Sequence, residues 1–428
     1  MSDRLTEEQR EYGKKQYIKF TIFNGISVAA VAESFLILFA LKLSIPDYIV
    51  GVISSFFYLG LLFTLLGRLL IIRHGIAKTV TMAWLIRAFS GIITLITPII
   101  IYYLGLKIGI IWFTFGAFMF YAGRGTGMVG LLPIVGELTN ENDIGDFNAK
   151  SFSSFNIAYF LTILVLIFVF EFSDKVSTFQ IILLIGCIAG IFSAKKMLKI
   201  PETKHTRISA AIPLKNSAKE IFSKQHFRNI LFLQTFFFII TALVVPYSMI
   251  ALKKSYNISD YKAFEFVLAQ FLGGFIIAKI SKKPINKFGH NAFLNFMMLL
   301  IIISTIFWIE APLKFYWIYF GILFFILGFA QTGGYLSLAQ KFLLITDRDK
   351  RVGFSVIISG LSSLIAGIAG TLIGGGLLDY YAKKHVLFTT SFHYYFIIMT
   401  ILAVCLFLAS LFFCNDRNNH KKLIFDET

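Results

Sequence analysis

Twelve runs of about twenty mostly apolar residues follow one another along the chain, and short charged links separate them. They fall at about 17–41, 48–72, 77–103, 108–134, 152–171, 176–194, 228–250, 262–280, 290–309, 315–340, 353–378 and 391–414. A run of that length lets an α-helix cross the hydrocarbon of a bilayer. Lipid offers backbone amides no partners, so only helices and closed barrels can cross, and these runs are too long and uniformly apolar for barrel strands. The expected fold class is an all-α polytopic membrane protein. With 57% hydrophobic, 17% aromatic and only 15% charged residues, the chain has too little polar surface to coat a water-facing exterior.

Forty Lys and Arg against 23 Asp and Glu would suit a nucleic-acid binder if the bases shared one face. They sit in the links instead. Twenty-nine lie on the side that carries both chain ends and nine on the other, with Arg87 and Arg124 inside spans. That bias predicts cytoplasmic termini and no nucleic-acid partner. The start, MSDRLTEEQREYGKKQYIKF, lacks the short apolar core and small-residue cleavage site of a removable signal, so the first run reads as a retained helix. Cys187, Cys405 and Cys414 show no metal spacing, and the seven histidines are scattered, so no metal site is expected. No G-x-x-x-x-G-K-[ST] loop occurs, which disfavours ATP hydrolysis as the energy source.

The longest link, KKMLKIPETKHTRISAAIPLKNSAKEIFSKQHFRN, is basic, carries Pro201 and Pro213, and divides the runs six and six. The predicted organisation is a tail at 1–16, a six-helix bundle at 17–195, a basic linker at 196–227 with a surface helix near Ser217 to Ser223, a second bundle at 228–414 and a tail at 415–428. Glycine-loosened stretches recur at matching places in the two halves, AGRGTGMVG in the fourth run and GFAQTGGYLSLAQ in the tenth. Such repeats are the usual basis of alternating access.

With these features the chain resembles the major facilitator superfamily of transporters. The likeness covers about residues 15 to 415. The family signature after the second span is a glycine, three variable residues, then Asp-Arg-x-Gly. In GRLLIIRHGIAK, Arg73 and Gly75 match, Ile72 replaces the aspartate and Gly67 falls one residue early. In the second half KKPINKFGHN keeps Lys287 and Gly289, with Asn286 at the acidic position. A further signature places an arginine in the fourth span with a glycine four residues on; Arg124 matches, but Gly127 is three on. The Gly-Pro pair of many drug/proton antiporters is absent from the fifth run. The resemblance implies a major facilitator fold, spans one and four beside a central cavity, and a proton-linked role for Arg124.

A charge near the bilayer centre costs roughly 2.5–3.5 kcal/mol on insertion scales, so each deep charge needs a partner or a task. Arg124 can hold an anionic group or pair with Glu33 of the first run, whose protonation would then free it. Arg87 is read as snorkelling to headgroups or bracing a loop. Arg68 and Glu137, at the ends of runs two and four, are read as bracing or gate partners, beside Arg73, Gly75, Lys287 and Gly289 of the signatures. Neutral polar candidates for ligand contact are Asn24, Asn156 and Tyr159 in the first half and Gln234, Gln270, Gln331 and Tyr335 in the second. Such groups serve equally as interhelical glue, with Thr235, Ser359, Ser362 and Ser363. Gly125 and Gly127 are expected to allow close packing or a bend in the fourth run.

The function these readings favour is a secondary active transporter, monomeric, without a cofactor, driven by a proton or other ion gradient. It would move a small organic solute, anionic or amphipathic, across a bacterial inner membrane, with lipids as its surroundings. A lipid or lysolipid mover, a drug/proton antiporter and a lipid-modifying membrane enzyme are the alternatives; no cluster of acids, histidines or serines at one face supports the enzyme.

Overall fold

The computed structural model of the chain describes residues 5–31, 33–139, 143–203, 205–347, 350–377, 380 and 392–413. Among them, twelve helical spans are long and apolar enough to cross a membrane. They are span 1 (Glu7–Lys42), span 2 (Asp47–His74), span 3 (Ile76–Leu104), span 4 (Leu106–Leu138), span 5 (Lys150–Phe172), span 6 (Val176–Met197), span 7 (Gln225–Tyr256), span 8 (Asp260–Ile280), span 9 (His290–Ile309), span 10 (Trp317–Ile345), span 11 (Arg351–Gly375) and span 12 (His393–Phe412). Nine of the expected runs lie within one span each, while those at 315–340, 353–378 and 391–414 overlap spans 10, 11 and 12 and overrun them by two or three residues. Cys414, His385, His420 and the 415–428 tail lie outside the described residues.

Leu, Ile and Phe supply the helical stretches, and embedded hydroxyls are absorbed by the helix that carries them. Ser54 donates to the Val50 carbonyl at 2.9 Å, Thr126 to Ala122 at 2.9 Å and Thr162 to Ala158 at 2.8 Å. Bonding back to the preceding turn satisfies these hydroxyls in a medium without water, whereas those of Thr97, Thr114 and Ser363 are buried without a partner among the described residues.

Two glycines of the degenerate signatures have a backbone task. Gly75 turns the chain from span 2 to span 3 at φ 86°, ψ 171°, and Gly289 turns it from span 8 to span 9 at φ 84°, ψ 161°. Side chains avoid that region, so the same glycine-only turn recurs at equivalent points of the two halves.

Spans 2 and 11 are irregular. A 3-10 segment, Gly60–Phe63, interrupts span 2, and a π-helical segment, Gly370–Gly375, ends span 11. Both sit where backbones approach closely: a methyl group on Gly125 would collide with the Gly60 carbonyl, and one on Gly374 with the Tyr247 ring. Span 4 runs unbroken through Gly123, Gly125 and Gly127. These glycines take the close packing expected of them, Gly127 against Trp84.

The link between spans 6 and 7 folds into two short helices, His205–Ala211 and Leu214–Ser223, at one end of the bundle, here called the linker face. Arg68 donates to the Ile212 carbonyl at 2.6 Å, Thr203 to the Glu137 carboxylate at 2.6 Å, and the Ala77 amide to Glu202 at 2.9 Å. Arg68 and Glu137 thus fasten the linker to the first half. Glu220 ties it to the second through Lys350 at 3.0 Å. Lys224, hydrogen-bonded at 2.6 Å, together with Lys350 holds the Glu220 carboxyl below the usual carboxylate range. Its folded value lies under its unfolded one, so this small contribution is present at neutral pH and is lost only as pH falls through the depressed value.

Toward the opposite end, the far face, one apolar core joins both halves: Phe35 and Phe170 pack on Phe264 at 6.3 and 5.1 Å between ring centres, and Phe39 stacks on Phe179 at 5.3 Å. Toward the linker face the buried residues divide. One cluster belongs to the first half with Val352 and Val356 of span 11, and another, around Phe227, Phe354 and Ile358, to the second half and linker. The halves are therefore sealed together at the far face and more separate at the linker face.

Replacing Gly289 with Ala tests the turn alone, because a methyl there meets nothing within 4 Å. The expected cost is about 1–3 kcal/mol, from backbone strain only, measured as a lower unfolding midpoint of purified protein in detergent.

Candidate functional site

A cavity of about 150 Å³ lies between the halves at mid-depth. Spans 1, 5, 7, 8 and 10 line it, with Asn156, Tyr159, Gln270, Gln331, Thr332 and Ser34 as its polar residues and Phe152, Phe155, Phe271, Ile37, Val245, Pro246, Met249 and Val267 as its large apolar ones. Four residues singled out in the sequence, Asn156, Tyr159, Gln270 and Gln331, are thus brought together. Gln270 donates to the Gln331 side-chain carbonyl at 3.1 Å, which joins spans 8 and 10. Tyr159 of span 5 stacks flat on Phe271 of span 8, with ring centres 3.6 Å apart, so first and second halves share one wall. Asn156 is 5% exposed and makes no hydrogen bond among the described residues. Its amide lies on the cavity wall, so its donor and acceptor are open to whatever fills that space.

Other candidates lie elsewhere. Tyr335 sits one turn beyond Gln331, with its ring 5.4 and 5.5 Å from Phe237 and Phe238 and its hydroxyl 3.4 Å from that of Tyr58. Tyr58 of span 2 also shares a 2.6 Å hydrogen bond with Thr241 of span 7, so this cluster bridges the halves beside the cavity. Gln234 donates to Ser359 at 3.3 Å and Thr235 to Ser362 at 2.9 Å, and both bonds tie span 7 to span 11 as interhelical glue. Asn24 accepts from the Trp84 indole at 2.9 Å, linking spans 1 and 3.

Arg124 is half-buried outside the cavity lining. Its guanidinium lies 3.8 Å from the centre of the Phe57 ring and donates to the Phe57 carbonyl at 3.3 Å, three residues before the 3-10 segment of span 2. Arg87 does not snorkel. It is 2% exposed, donates to Ser27 at 3.1 Å, and lies 5.2 and 5.1 Å from the Trp84 and Phe120 rings. The reason is position: Trp84 and Gly123 hold that part of span 3 against span 4, away from headgroups, so aromatic faces and a hydroxyl receive the charge. Among the described residues neither arginine forms an ion pair. The Glu33 and Asn286 side chains lie outside the described residues. Arg73 is exposed, and Lys287 lies 5.2 Å from the Phe288 ring centre.

Charged residues that sequence reasoning passed over close the far face. Lys42 at the end of span 1 lies 3.9 Å from Asp260 at the start of span 8, and Lys254 of span 7 lies 3.0 Å from Asp47 of span 2; both pairs cross between the halves. Asp260, 3% exposed, also holds Lys253 at 2.5 Å, while Lys42 holds Asp174 at 2.9 Å. The available signal was the placement of oppositely charged residues at the ends of neighbouring spans on the side poorest in bases.

The family model of the major facilitator superfamily matches residues 18–348, more than three quarters of the chain. The chain belongs to the major facilitator superfamily. No curated protein sequence matches it. Among solved structures, it is similar to a mutant form of the nucleoside transporter NupG, with 12% identity, TM-score 0.68 and coverage of 94% of this chain and 99% of that one. The xylose transporter XylE from E. coli, in a partially occluded inward-open conformation, gives 12% identity, TM-score 0.66, and 94% and 97% coverage. A mutant form of the E. coli fucose:proton symporter FucP gives 13% identity, TM-score 0.61, and 94% and 98% coverage. At such identities the likeness concerns the fold: the chain is a twelve-span facilitator of a family of transporters, not enzymes.

For this facilitator, Asp260→Asn removes the negative charge that faces Lys42 and Lys253 at the far face and is expected to loosen that closure. Cysteines introduced singly at Tyr48 and Tyr261, labelled by a maleimide in purified protein in detergent, should react at least threefold faster in the Asn background. Unchanged labelling would remove the ion pairs from the closure.

Proposed function

We infer that this chain is a secondary active transporter that passes a small, uncharged but polar organic solute through the Asn156–Gln270–Gln331 cavity by alternating access. The moving bodies are the halves at 17–195 and 228–414, with 196–227 as their connector. The observation that carries this reading is Asn156: a nearly buried amide without a partner, in a cavity whose walls come from both halves. Among the described lining residues none is charged, which favours an uncharged solute over the anion that Arg124 alone would suggest. Arg124 then acts as a positioning group, bracing span 4 against span 2 through Phe57.

The linker face is read as cytoplasmic, from the excess of Lys and Arg there. The far-face ion pairs and the Phe35–Phe170–Phe264 packing then form the external gate, and the conformation is one closed to the outside. Coupling to a proton gradient is supported by kinship of fold with symporters described as proton-linked. Glu33 is the coupling candidate. It neighbours Ser34, which lines the cavity, so a proton exchanged there would be felt at the solute.

Asn156→Ala deletes a group that stabilises nothing in the empty protein. The expected result is an unchanged or slightly raised melting temperature with initial uptake into proteoliposomes reduced at least tenfold, across a panel of sugars, nucleobases, amides and organic anions. Undiminished uptake of the transported compound would end the assignment of this cavity. In the same vesicles, Glu33→Gln is expected to flatten the pH dependence of uptake; an unaltered profile would strike Glu33 from the coupling.

A further inference from the structure

The hydrogen-bonding groups of the cavity are unevenly distributed, and their chemistry is narrower than general polarity. Spans 5, 8 and 10 bring three carboxamides, whereas spans 1 and 7 bring mainly Ile37, Val245, Pro246 and Met249. Within the Gln270–Gln331 bond, one amide uses an N–H and the other its carbonyl oxygen. What remains is the carbonyl oxygen and second N–H of Gln270, and the NH₂ group and second oxygen lone pair of Gln331. Interchanging oxygen and nitrogen at both side chains would leave the same inventory, an acceptor beside a donor on each amide. Asn156 adds a further unused pair of the same kind.

A carboxamide is best met by a partner edge on which a donor adjoins an acceptor, the relation by which Asn and Gln read adenine bidentately. A polyol is a poorer match. It carries hydroxyls around its whole rim, and on the wall of spans 1 and 7 Ser34 is the single polar side chain among the described lining residues to meet them. A carboxylate would find no cation among the described lining residues. The flat Tyr159–Phe271 pair favours a planar body. The cavity, about 150 Å³, is well under the roughly 300–1,000 Å³ of pockets for drug-sized ligands, which limits the occupant to about one ring.

We propose that the solute is an uncharged planar ring with an N–H donor and a carbonyl acceptor side by side on one edge, a cyclic amide or single-ring nucleobase, read by Gln270, Gln331 and Asn156. This rests on the reading of the same cavity as the substrate site. The apolar wall takes the opposite edge of the ring, which is why that edge carries no hydroxyls.

The test uses the full chain in lipid nanodiscs and calorimetric titration with uracil, 2-pyridone, N-methyl-2-pyridone, D-glucose and benzoate. The variants are Asn156→Ala, Gln270→Leu and Gln331→Leu, each first checked for an unfolding transition like the parent's. Uracil and 2-pyridone are expected to bind. N-methylation, which removes the donor and keeps the ring, should weaken binding at least tenfold, and that difference should shrink to under threefold in Gln270→Leu. Equal affinity for the two pyridones, or tighter binding of glucose or benzoate, with either still lost in Asn156→Ala, would overturn the donor–acceptor edge and leave the cavity as substrate site. Probe binding that none of the three variants alters would overturn both readings. Failure of uracil and both pyridones to bind at millimolar concentration overturns the proposed class.

Discussion

Lipid supplies no hydrogen-bond partners, so every polar group between the two faces must be satisfied by the protein or kept for something that enters it. The whole interior follows from this. Many serines and threonines return their protons to the preceding turn; Gln234, Thr235 and Asn24 tie helix to helix; even Arg87 is met by Ser27 and two aromatic faces. Asn156, without a hydrogen bond among the described residues, and the mutually bonded but not saturated Gln270 and Gln331 differ from these in lying where spans of both halves face one another.

The same economy shapes how the halves meet. Aromatic packing can seal one end without leaving polar groups bare, and the lysines and aspartates that rim it sit where water reaches most of them. Asp260 is the buried exception, and it is matched by two lysines rather than one. Breaking such a contact by removing one partner costs more than the pair contributes, since the remaining charges keep their desolvation.

Much of the fold was legible in the chain. Hydrophobic length gave all twelve crossings, and the signature glycines Gly75 and Gly289 marked turns whose backbone admits little else. The site was legible only in part. Asn156, Tyr159, Gln270 and Gln331 stood out as polar residues in apolar runs, but so did Gln234 and Asn24, which bond to neighbours. Composition cannot separate these classes, because whether an amide finds a partner depends on which helix faces it. Arg124 drew attention by its charge, yet its surroundings, the Phe57 ring and carbonyl, are fixed by the 3-10 segment and by the contact of Gly60 with Gly125. Those are tertiary facts. The far-face pairs were missed for the same reason: Asp47 and Lys254 are distant in sequence and meet only after folding.

The linker is anchored twice, and the free length between its anchors is short. Ile212 is held to the first half by Arg68, and the helix that begins at Leu214 is held to the second, where Ser217 packs on Gly353 and Glu220 meets Lys350. Only the Ile212–Pro213–Leu214 junction bridges them, two steps of at most about 3.6 Å each. It works as a leash. Ile212 and Leu214 cannot part by more than roughly 7 Å, so a wider excursion on that side must first slip the arginine's grip or unravel the helix, which puts a mechanical stop on the stroke.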